Sequence, residues 1–186
     1  QPQGCPEFLE WGMRLFLNAL GFQTAWWACI AGVGHGLEIP ALIYGLTLAG
    51  LHLFFTVKPW QETQLAASAL VLGVTIDTLL QATSVIHFYG WSLAFLSPFW
   101  LWLLWALFAM TLNTSLVFLQ NHTLWLSAAA GLVFGPLTYY AGAQLGAASF
   151  DNTAVHFGAL AITWGLALPV LVYAAKHFFT PPKGIS

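Results

Sequence analysis

Long runs of apolar residues, separated by short polar segments, dominate the chain. Six runs are about 20 residues long, the length of a helix that crosses the hydrocarbon core of a bilayer. They lie at residues 12–32, 38–56, 65–87, 97–119, 124–146 and 155–178. Barrel strands would alternate over about ten residues, a pattern the chain lacks, and backbone groups in lipid must bond within a span. We therefore predict an all-α, polytopic membrane bundle of six transmembrane helices.

The composition supports a membrane protein. Of 186 residues, 59% are hydrophobic and only 5% are charged, whereas about 25% are charged in an ordinary soluble domain. Too few polar side chains are present to cover a water-facing globule. The net charge of −2 provides no basic field for nucleic acid. The expected surrounding is the lipid bilayer, with no nucleic-acid partner.

The basic residues predict the orientation. With six spans, all four lie on the side of the N-terminus: Arg14, Lys58, Lys176 and Lys183. The opposite loops carry acidic residues but no Lys or Arg, so the positive-inside rule puts both termini in the cytoplasm.

The domain boundaries follow from the outermost spans. We assign 1–11 to an N-terminal tail, 12–178 to the transmembrane domain and 179–186 to a C-terminal tail. Because the chain begins with Gln, the first tail is expected to be trimmed or foreign sequence.

Asp77 is the most informative residue, because it lies near the middle of the third predicted span. A carboxylate near the bilayer centre costs about 2.5–3.5 kcal/mol even on lenient insertion scales. No Lys or Arg lies at a comparable depth, so we expect a protonated side chain that faces the bundle interior. Gly73, Gln81 and Ser84 follow the same face at helical spacing. The face forms either hydrogen-bonded packing or a polar pocket, and the sequence leaves both open.

Polar and aromatic residues of the other spans complete a candidate pocket. Gln23 lies near mid-depth of the first span and would meet Asp77 if the first and third helices touch. The tryptophans of the fourth span either wall a pocket or fill lipid-facing grooves. The predicted ligand-binding residues are Gln23, Asp77, Gln81, Trp105, Asn113 and Tyr139. Asp77 is the best candidate for a catalytic residue, although no reaction is indicated.

The fifth span carries a stripe of small residues. It contains two GxxxG units, Gly131 to Gly135 and Gly142 to Gly146. Such stripes let helix backbones approach closely, so we predict a helix-packing role for them. Pro136 adds an expected kink and leaves a backbone carbonyl without its helical donor.

Motifs for known chemistries are absent. The chain contains no HExxH, GxSxG, CxxC or glycine-rich phosphate loop. Its six histidines do not cluster in sequence. We therefore predict no metal site and no cofactor, and the question of enzymatic activity stays open.

Four runs carry a family resemblance: NALGFQTAWWACIAG, GVTIDTLLQATSVIHF, PFWLWLLWALFAMTLNTSL and GPLTYYAGAQLGA. Together they resemble a bacterial inner-membrane family known only as domain of unknown function 2878. The resemblance extends from about Asn18 to Phe178 and implies a small polytopic protein, sometimes encoded near lipid-modifying genes. It implies no activity. The matching positions are Asn18, Gln23, Trp26, Asp77, Trp105, Thr111, Ser115, Gly135, Pro136, Tyr139, Gly142 and Gly146.

Three hypotheses of function follow. In the first, a membrane-embedded pocket around Asp77 handles a lipid or another apolar small molecule. In the second, the chain is a non-catalytic accessory or assembly subunit with a membrane-protein partner. In the third, it is the substrate-binding membrane subunit of a vitamin-type transporter, an analogy from architecture alone.

Overall fold

The computed structural model describes residues 5–179, and within them the fold is almost entirely helical. Its elements are α1 (Cys5–His35), α2 (Glu38–Phe55), α3 (Pro59–Ala82), β1 (His87–Phe88), α4 (Phe99–Leu112), α5 (Phe118–Asn121), α6 (Leu124–Gln144), β2 (Ala148–Ser149) and α7 (Ala154–Phe179). The all-α prediction is therefore confirmed. Residues 1–4 and 180–186, which include Lys183 and much of both predicted tails, lie outside the described residues.

Four of the described helices are long and apolar enough to cross a membrane: α2, α3, α6 and α7. Helix α1 has the length, but polar residues such as Asn18 and Gln23 interrupt its apolar run. Helix α4 has 14 residues, about 21 Å at 1.5 Å per residue, which is shorter than a hydrocarbon core of about 30 Å. A membrane-spanning helical bundle is thus supported, and the number of six spans stays a prediction.

The third predicted span was placed too far along the chain. Helix α3 begins at Pro59 and ends at Ala82. Ser84 has a left-handed φ of 59°, and the N–H groups of Ser84 and Val85 bond to the carbonyls of Gln81 and Leu80. These are the bonds of a Schellman helix end. Ser84 therefore does not share a helical face with Asp77.

The fourth predicted span is also shorter than expected. Helix α4 ends at Leu112 with Asn113 as its cap, and turns follow up to α5. Short polar side chains such as those of Asn113 and Ser115 compete for backbone and side-chain partners outside a helix. Both find such partners here, in Glu62 and Asn18. Thr111 and Ser115 are thus not on one continuous helix.

The helices pack in a defined order. Helix α6 lies along α7, α3 lies between α4 and α7, and α1 packs on α2 and α4. Helices α1 and α3 are not packed neighbours. The predicted contact between Gln23 and Asp77 is therefore wrong, because α4 occupies the place beside α3. Helices α1 and α6 are likewise not packed along their lengths, which leaves a groove between them.

Candidate functional site

Asp77 lies at the centre of the bundle and is fully buried. Trp105 Nε1 donates a hydrogen bond of 2.7 Å to Asp77 Oδ2, and the Tyr139 hydroxyl donates one of 2.5 Å to Oδ1. Among the described residues no cationic side chain pairs with Asp77. Two neutral donors from α4 and α6 therefore take the place of a salt bridge, as expected for a polar group that must be satisfied inside a membrane.

Gly73 makes room for the Trp105 indole. It lies four positions before Asp77 on α3, so both residues face α4. A Cβ at Gly73 would lie 2.1 Å from the indole ring, far inside van der Waals contact. The glycine allows the indole to lie flat against the α3 backbone and to reach the carboxyl group one turn away.

A second indole continues the packing towards α6. Trp164 of α7 stacks on Trp105, with ring centroids 4.6 Å apart and planes inclined by 9°. A Cβ at Gly131 would lie 2.1 Å from the Trp164 carbonyl oxygen, and one at Gly135 would lie 2.4 Å from Trp164 Cβ. Both indoles are thus held between glycines of α3 and α6. We call this set the Asp77 centre: Gly73, Asp77, Trp105, Gly131, Gly135, Tyr139 and Trp164.

The two GxxxG units of the fifth span differ in the structure. Gly131 and Gly135 approach α7, whereas a Cβ at Gly142 would make only an ordinary 3.5 Å contact with Ile30 of α1. Gly146 lies beyond the end of α6 and has a φ of +83°. Pro136 is buried within α6, which continues through it. Of the two units, only the first packs α6 closely against α7.

Two predicted site residues form hydrogen bonds with partners other than Asp77. Gln81 Oε1 accepts a hydrogen bond of 3.3 Å from the Phe88 backbone N–H, which joins α3 to β1. Asn113 Nδ2 donates to Glu62 Oε2 at 3.4 Å. Glu62 precedes Asp77 by fifteen positions on α3, about 22 Å along the helix. Asn113 therefore belongs to another part of the bundle, whereas Gln81 lies one turn beyond Asp77 on α3.

The groove between α1 and α6 has a volume of about 720 Å³. Its walls are apolar side chains of α1 and α6, and α4 and α7 form its base. Gln23, Trp105, Tyr139 and Trp164 line it, whereas Asp77 does not. A molecule in the groove can touch the two donors of Asp77 but not the carboxyl group.

The groove is closed at the end where α1 and α6 finish. A Cβ at Gly34 would lie 2.9 Å from the Leu145 carbonyl oxygen, so the two backbones meet there. About one turn before this closed end, Ile30 of α1 lies beside Gly142 of α6. Gln23 and Gly135 each precede these residues by seven positions, so they lie at the same height along the two helices. Gln23 thus faces the middle of the groove.

Two hydrogen-bond donors in the groove have no acceptor. Gln23 makes no hydrogen bond to another described residue. Trp164 Nε1 is buried and lies beside the Tyr139 phenol without a hydrogen bond of normal geometry. The neighbouring polar groups are occupied, because Thr138 donates to the Phe134 carbonyl and Trp105 to Asp77. A ligand that brings a hydrogen-bond acceptor can therefore bond to both donors.

The chemical capacity of the site lies in Tyr139. A phenol that is hydrogen-bonded to a carboxyl group can hold or pass a proton, and Tyr139 is the member of this pair that reaches the groove. Asp77 lies outside the groove and fixes the orientation of Tyr139 and Trp105 through its hydrogen bonds. No group of three or more metal-binding side chains occurs among the described residues.

Sequence reasoning overlooked Trp164 and the polar residues around Glu62. Pro59 at the first turn of α3 signals a helix start that puts Glu62 on the helix. Glu62, Ala66, Ala69, Gly73 and Asp77 then follow one another at intervals of three or four. That spacing was available in the sequence. Trp164 has no comparable signal, because a tryptophan in an apolar helix is equally suited to face lipid.

The long apolar helices define the chain as a membrane-spanning helical bundle. The family described as "Protein of unknown function (DUF2878)" matches residues 15–170. The chain belongs to this family, which confirms the resemblance seen in its sequence. No curated protein matches the chain, and no solved structure does.

Proposed function

We propose that this chain is a bacterial inner-membrane protein whose α1–α6 groove binds a lipid or another apolar molecule with a hydrogen-bond acceptor. The observation that carries the proposal is the pair of unmatched donors, Gln23 and Trp164 Nε1, in an apolar groove. Trp164 Nε1 is buried, and a buried donor without an acceptor costs about 1–3 kcal/mol. The Gln23 side chain is exposed towards the groove, where hydrocarbon would offer its amide no partner. An ester or ketone oxygen at mid-groove would remove that cost.

The shape of the groove supports entry from the bilayer. Its volume of about 720 Å³ lies within the range of about 300–1,000 Å³ that is usual for small-molecule sites. Its rim includes Trp27, Phe134 and Leu137, which are 51%, 66% and 53% exposed. Large apolar side chains that are exposed in a membrane bundle face hydrocarbon. A ligand would therefore reach the groove sideways, with its apolar chain already in lipid.

Asp77 acts in this proposal as a positioning residue. It holds the Trp105 indole and the Tyr139 phenol at the base of the groove. A reaction in the groove would use the Tyr139 hydroxyl as the proton-exchanging group. If the protein only binds or carries its ligand, it needs the same arrangement of Trp105 and Tyr139. The proposal therefore does not depend on catalysis.

Native mass spectrometry of the gently solubilised protein tests this function. We expect the wild type to retain a small adduct of defined mass. Gln23→Leu should lose most of it, because the substitution removes the mid-groove amide. Gln64→Leu is the matched control, since Gln64 lies on α3 and lines neither large cavity.

Four outcomes would count against the proposal or favour another hypothesis. Equal adduct in wild type and Gln23→Leu, or bare protein in every sample, would contradict the proposal. A stoichiometric protein in place of the adduct would favour the accessory-subunit hypothesis. A water-soluble vitamin as the adduct would favour the transporter hypothesis.

The proposal includes six membrane passes with both termini in the cytoplasm. Supporting it, the described basic residues lie at one end of the bundle. Arg14 Nη2 donates to the Phe55 carbonyl at 3.4 Å, Lys58 follows α2 three residues later, and Lys176 Nζ donates to the Gln120 carbonyl at 3.2 Å. Clustered cations at one end fit the positive-inside rule.

Labelling of single cysteines in intact cells tests the orientation. In a background without Cys5 and Cys29, Ser149→Cys should react with a membrane-impermeant maleimide and Trp60→Cys should not. The reverse pattern would contradict the proposed orientation.

A further inference from the structure

A second large cavity lies at the end of the bundle that carries Arg14 and Lys58. Its volume is about 770 Å³, and it is enclosed by α1, α2, α4 and the first turn of α3. Phe22 of α1 lines both this cavity and the groove, so α1 separates the two spaces. The cavity is therefore a second candidate site, at headgroup rather than mid-membrane depth in the proposed topology.

A buried acid and an imidazole face each other in this cavity. Glu62 is only 3% exposed, and its Oε2 lies 3.6 Å from His52 Nε2. The Asn113 amide donates to the same oxygen at a long 3.4 Å. His52 Nε2 is buried and makes no hydrogen bond to another described residue. Both groups thus have capacity left, and both line the cavity.

The surrounding hydrogen bonds decide which nitrogen of His52 carries the proton. Asn18 Oδ1 accepts from the Ser115 backbone N–H at 3.3 Å and from the Ser115 hydroxyl at 2.7 Å. The amide nitrogen of Asn18 must then be the group that faces His52 Nδ1, at 3.5 Å. Because an amide nitrogen only donates, Nδ1 is the acceptor and Nε2 carries the ring proton. Nε2 therefore presents a donor beside Glu62.

A donor and an acceptor side by side recognise a particular group. A hydroxyl can accept from His52 Nε2 and donate to the Glu62 carboxyl at the same time. An ammonium group could satisfy only Glu62, and a carbonyl only His52. The pair is therefore matched to a hydroxyl group, either of an alcohol or of water.

The other residues that line the cavity indicate what kind of molecule carries the hydroxyl group. Its walls are largely apolar and include Trp11, Phe22, Leu48, Phe55, Leu107 and Met110. Arg14 and Lys58 also line it and add positive charge. Apolar walls fit acyl chains, and the two cations fit a phosphate near the membrane surface.

We propose that this cavity binds an anionic phospholipid through a headgroup hydroxyl, which bridges His52 Nε2 and the Glu62 carboxyl while Arg14 and Lys58 attract the phosphate. The site is independent of the α1–α6 groove and does not rest on the function proposed for it. It would take one lipid at the cytoplasmic end of the bundle.

Two lipids of equal charge test the proposal. Dioleoyl phosphatidylglycerol and dioleoyl phosphatidylmethanol both carry one negative charge, but only the first has headgroup hydroxyls. Titration of each lipid into detergent-solubilised protein, read by native mass spectrometry, gives the Kd of the first bound lipid. We expect the wild type to bind phosphatidylglycerol about tenfold more tightly, as for hydrogen bonds with a charged partner.

Substitutions at Glu62 and His52 test whether the preference for phosphatidylglycerol arises at these two residues. Glu62→Leu and His52→Phe should bring the ratio of the two Kd values close to one. Glu62→Gln keeps the shape and an acceptor oxygen, so a partial preference should survive even if Glu62→Leu folds poorly, which circular dichroism would reveal. Gln64→Leu should leave the ratio unchanged, because Gln64 lines neither cavity.

The proposal is overturned by equal Kd values in the wild type, or by a preference that persists in folded Glu62→Gln, Glu62→Leu and His52→Phe alike. Competition by free glycerol phosphate at millimolar concentration would replace the lipid with a water-soluble ligand and would also overturn it. A wild type that carries no groove adduct but retains the lipid preference would contradict the function proposed for the groove alone.

Discussion

Two acidic side chains are buried on α3, and their surroundings differ. Asp77 has a short bond to each oxygen, 2.7 Å from Trp105 and 2.5 Å from Tyr139. Glu62, fifteen positions earlier, has contacts of 3.4 Å and 3.6 Å to one oxygen and opens onto a cavity. Both are nearly inaccessible, at 0% and 3% exposure.

The difference shows how neighbours decide what a buried acid does. A fully satisfied polar group in a low dielectric fixes the arrangement of its partners, whereas a partly satisfied one is available to a ligand. Asp77 is thus suited to positioning Trp105 and Tyr139. Glu62 is suited to binding. The following predictions test that contrast, beginning with the largest expected effect.

Gly73→Ala should be the most disruptive small substitution. Its Cβ would lie 2.1 Å from the Trp105 ring, and displacing the indole breaks its stack with Trp164 and its bond to Asp77. We expect a loss of about 4–5 kcal/mol in the free energy of unfolding, because the overpacking adds to the cost of the broken hydrogen bond. Near-UV circular dichroism in mixed micelles measures it. Gly50→Ala is the control, because nothing lies within 4 Å of a Cβ there. Equal stability of the two variants would mean that the indole is not held by α3.

Asp77→Leu should leave the Trp105 N–H and the Tyr139 O–H buried without acceptors. We expect a loss of about 2–4 kcal/mol, since each unpaired group costs about 1–3 kcal/mol. Asp77→Asn should lose much less, because its amide can accept from Trp105 and donate to the Tyr139 oxygen. Thermal unfolding of both variants measures the difference. If Asp77→Asn also keeps any cellular activity, proton exchange at Asp77 is ruled out.

Gly135→Leu and Gly142→Leu should separate the two GxxxG units. A side chain at Gly135 collides with Trp164 Cβ at 2.4 Å, whereas one at Gly142 meets only Ile30 at 3.5 Å. We expect a loss of about 2 kcal/mol or more for Gly135→Leu and about 1 kcal/mol or less for Gly142→Leu. The same unfolding assay ranks them. The opposite ranking would show that α6 packs on α1 rather than α7.

Glu62→Leu should have the smallest effect on stability. Its two polar contacts are long, 3.4 Å to the Asn113 amide and 3.6 Å to His52 Nε2, and interactions at such distances contribute little to stability. We expect a change within about 1 kcal/mol in the free energy of unfolding. A loss as large as that of Asp77→Leu would remove the contrast between the two acids.

The burial of Asp77 could be predicted from the sequence, but its hydrogen-bond donors could not. The absence of cations at its depth predicted that Asp77 faces the bundle interior, and its burial and two donors agree with that. The identity of the donors was not available, because helix neighbours depend on packing that one sequence does not encode. Trp105 and Tyr139 belonged to the predicted pocket, but Gln23 was paired with Asp77 on a guessed α1–α3 contact that α4 prevents.

The helix ends show a second limit. Sequence rules locate a helix end by glycine in the left-handed conformation, but α3 ends with Ser84 in that role. The sequence therefore contains no glycine to mark this helix end. The predicted span ended five residues too late, at His87 rather than Ala82. The short α4 was hidden in the same way, because its apolar run continues through Leu116 and Val117 after the helix has ended.

Photo-crosslinking with a diazirine-bearing long-chain methyl ester tests the central claim most directly. The probe has the apolar chain and the carbonyl acceptor that the groove requires, and peptide mass spectrometry locates its attachment. We expect labels on the groove walls, at residues 22–30 of α1 and 130–141 of α6, with strong loss in Gln23→Leu and none in Gln64→Leu. Labels spread over all lipid-exposed helices, or unchanged in Gln23→Leu, would contradict a binding groove between α1 and α6.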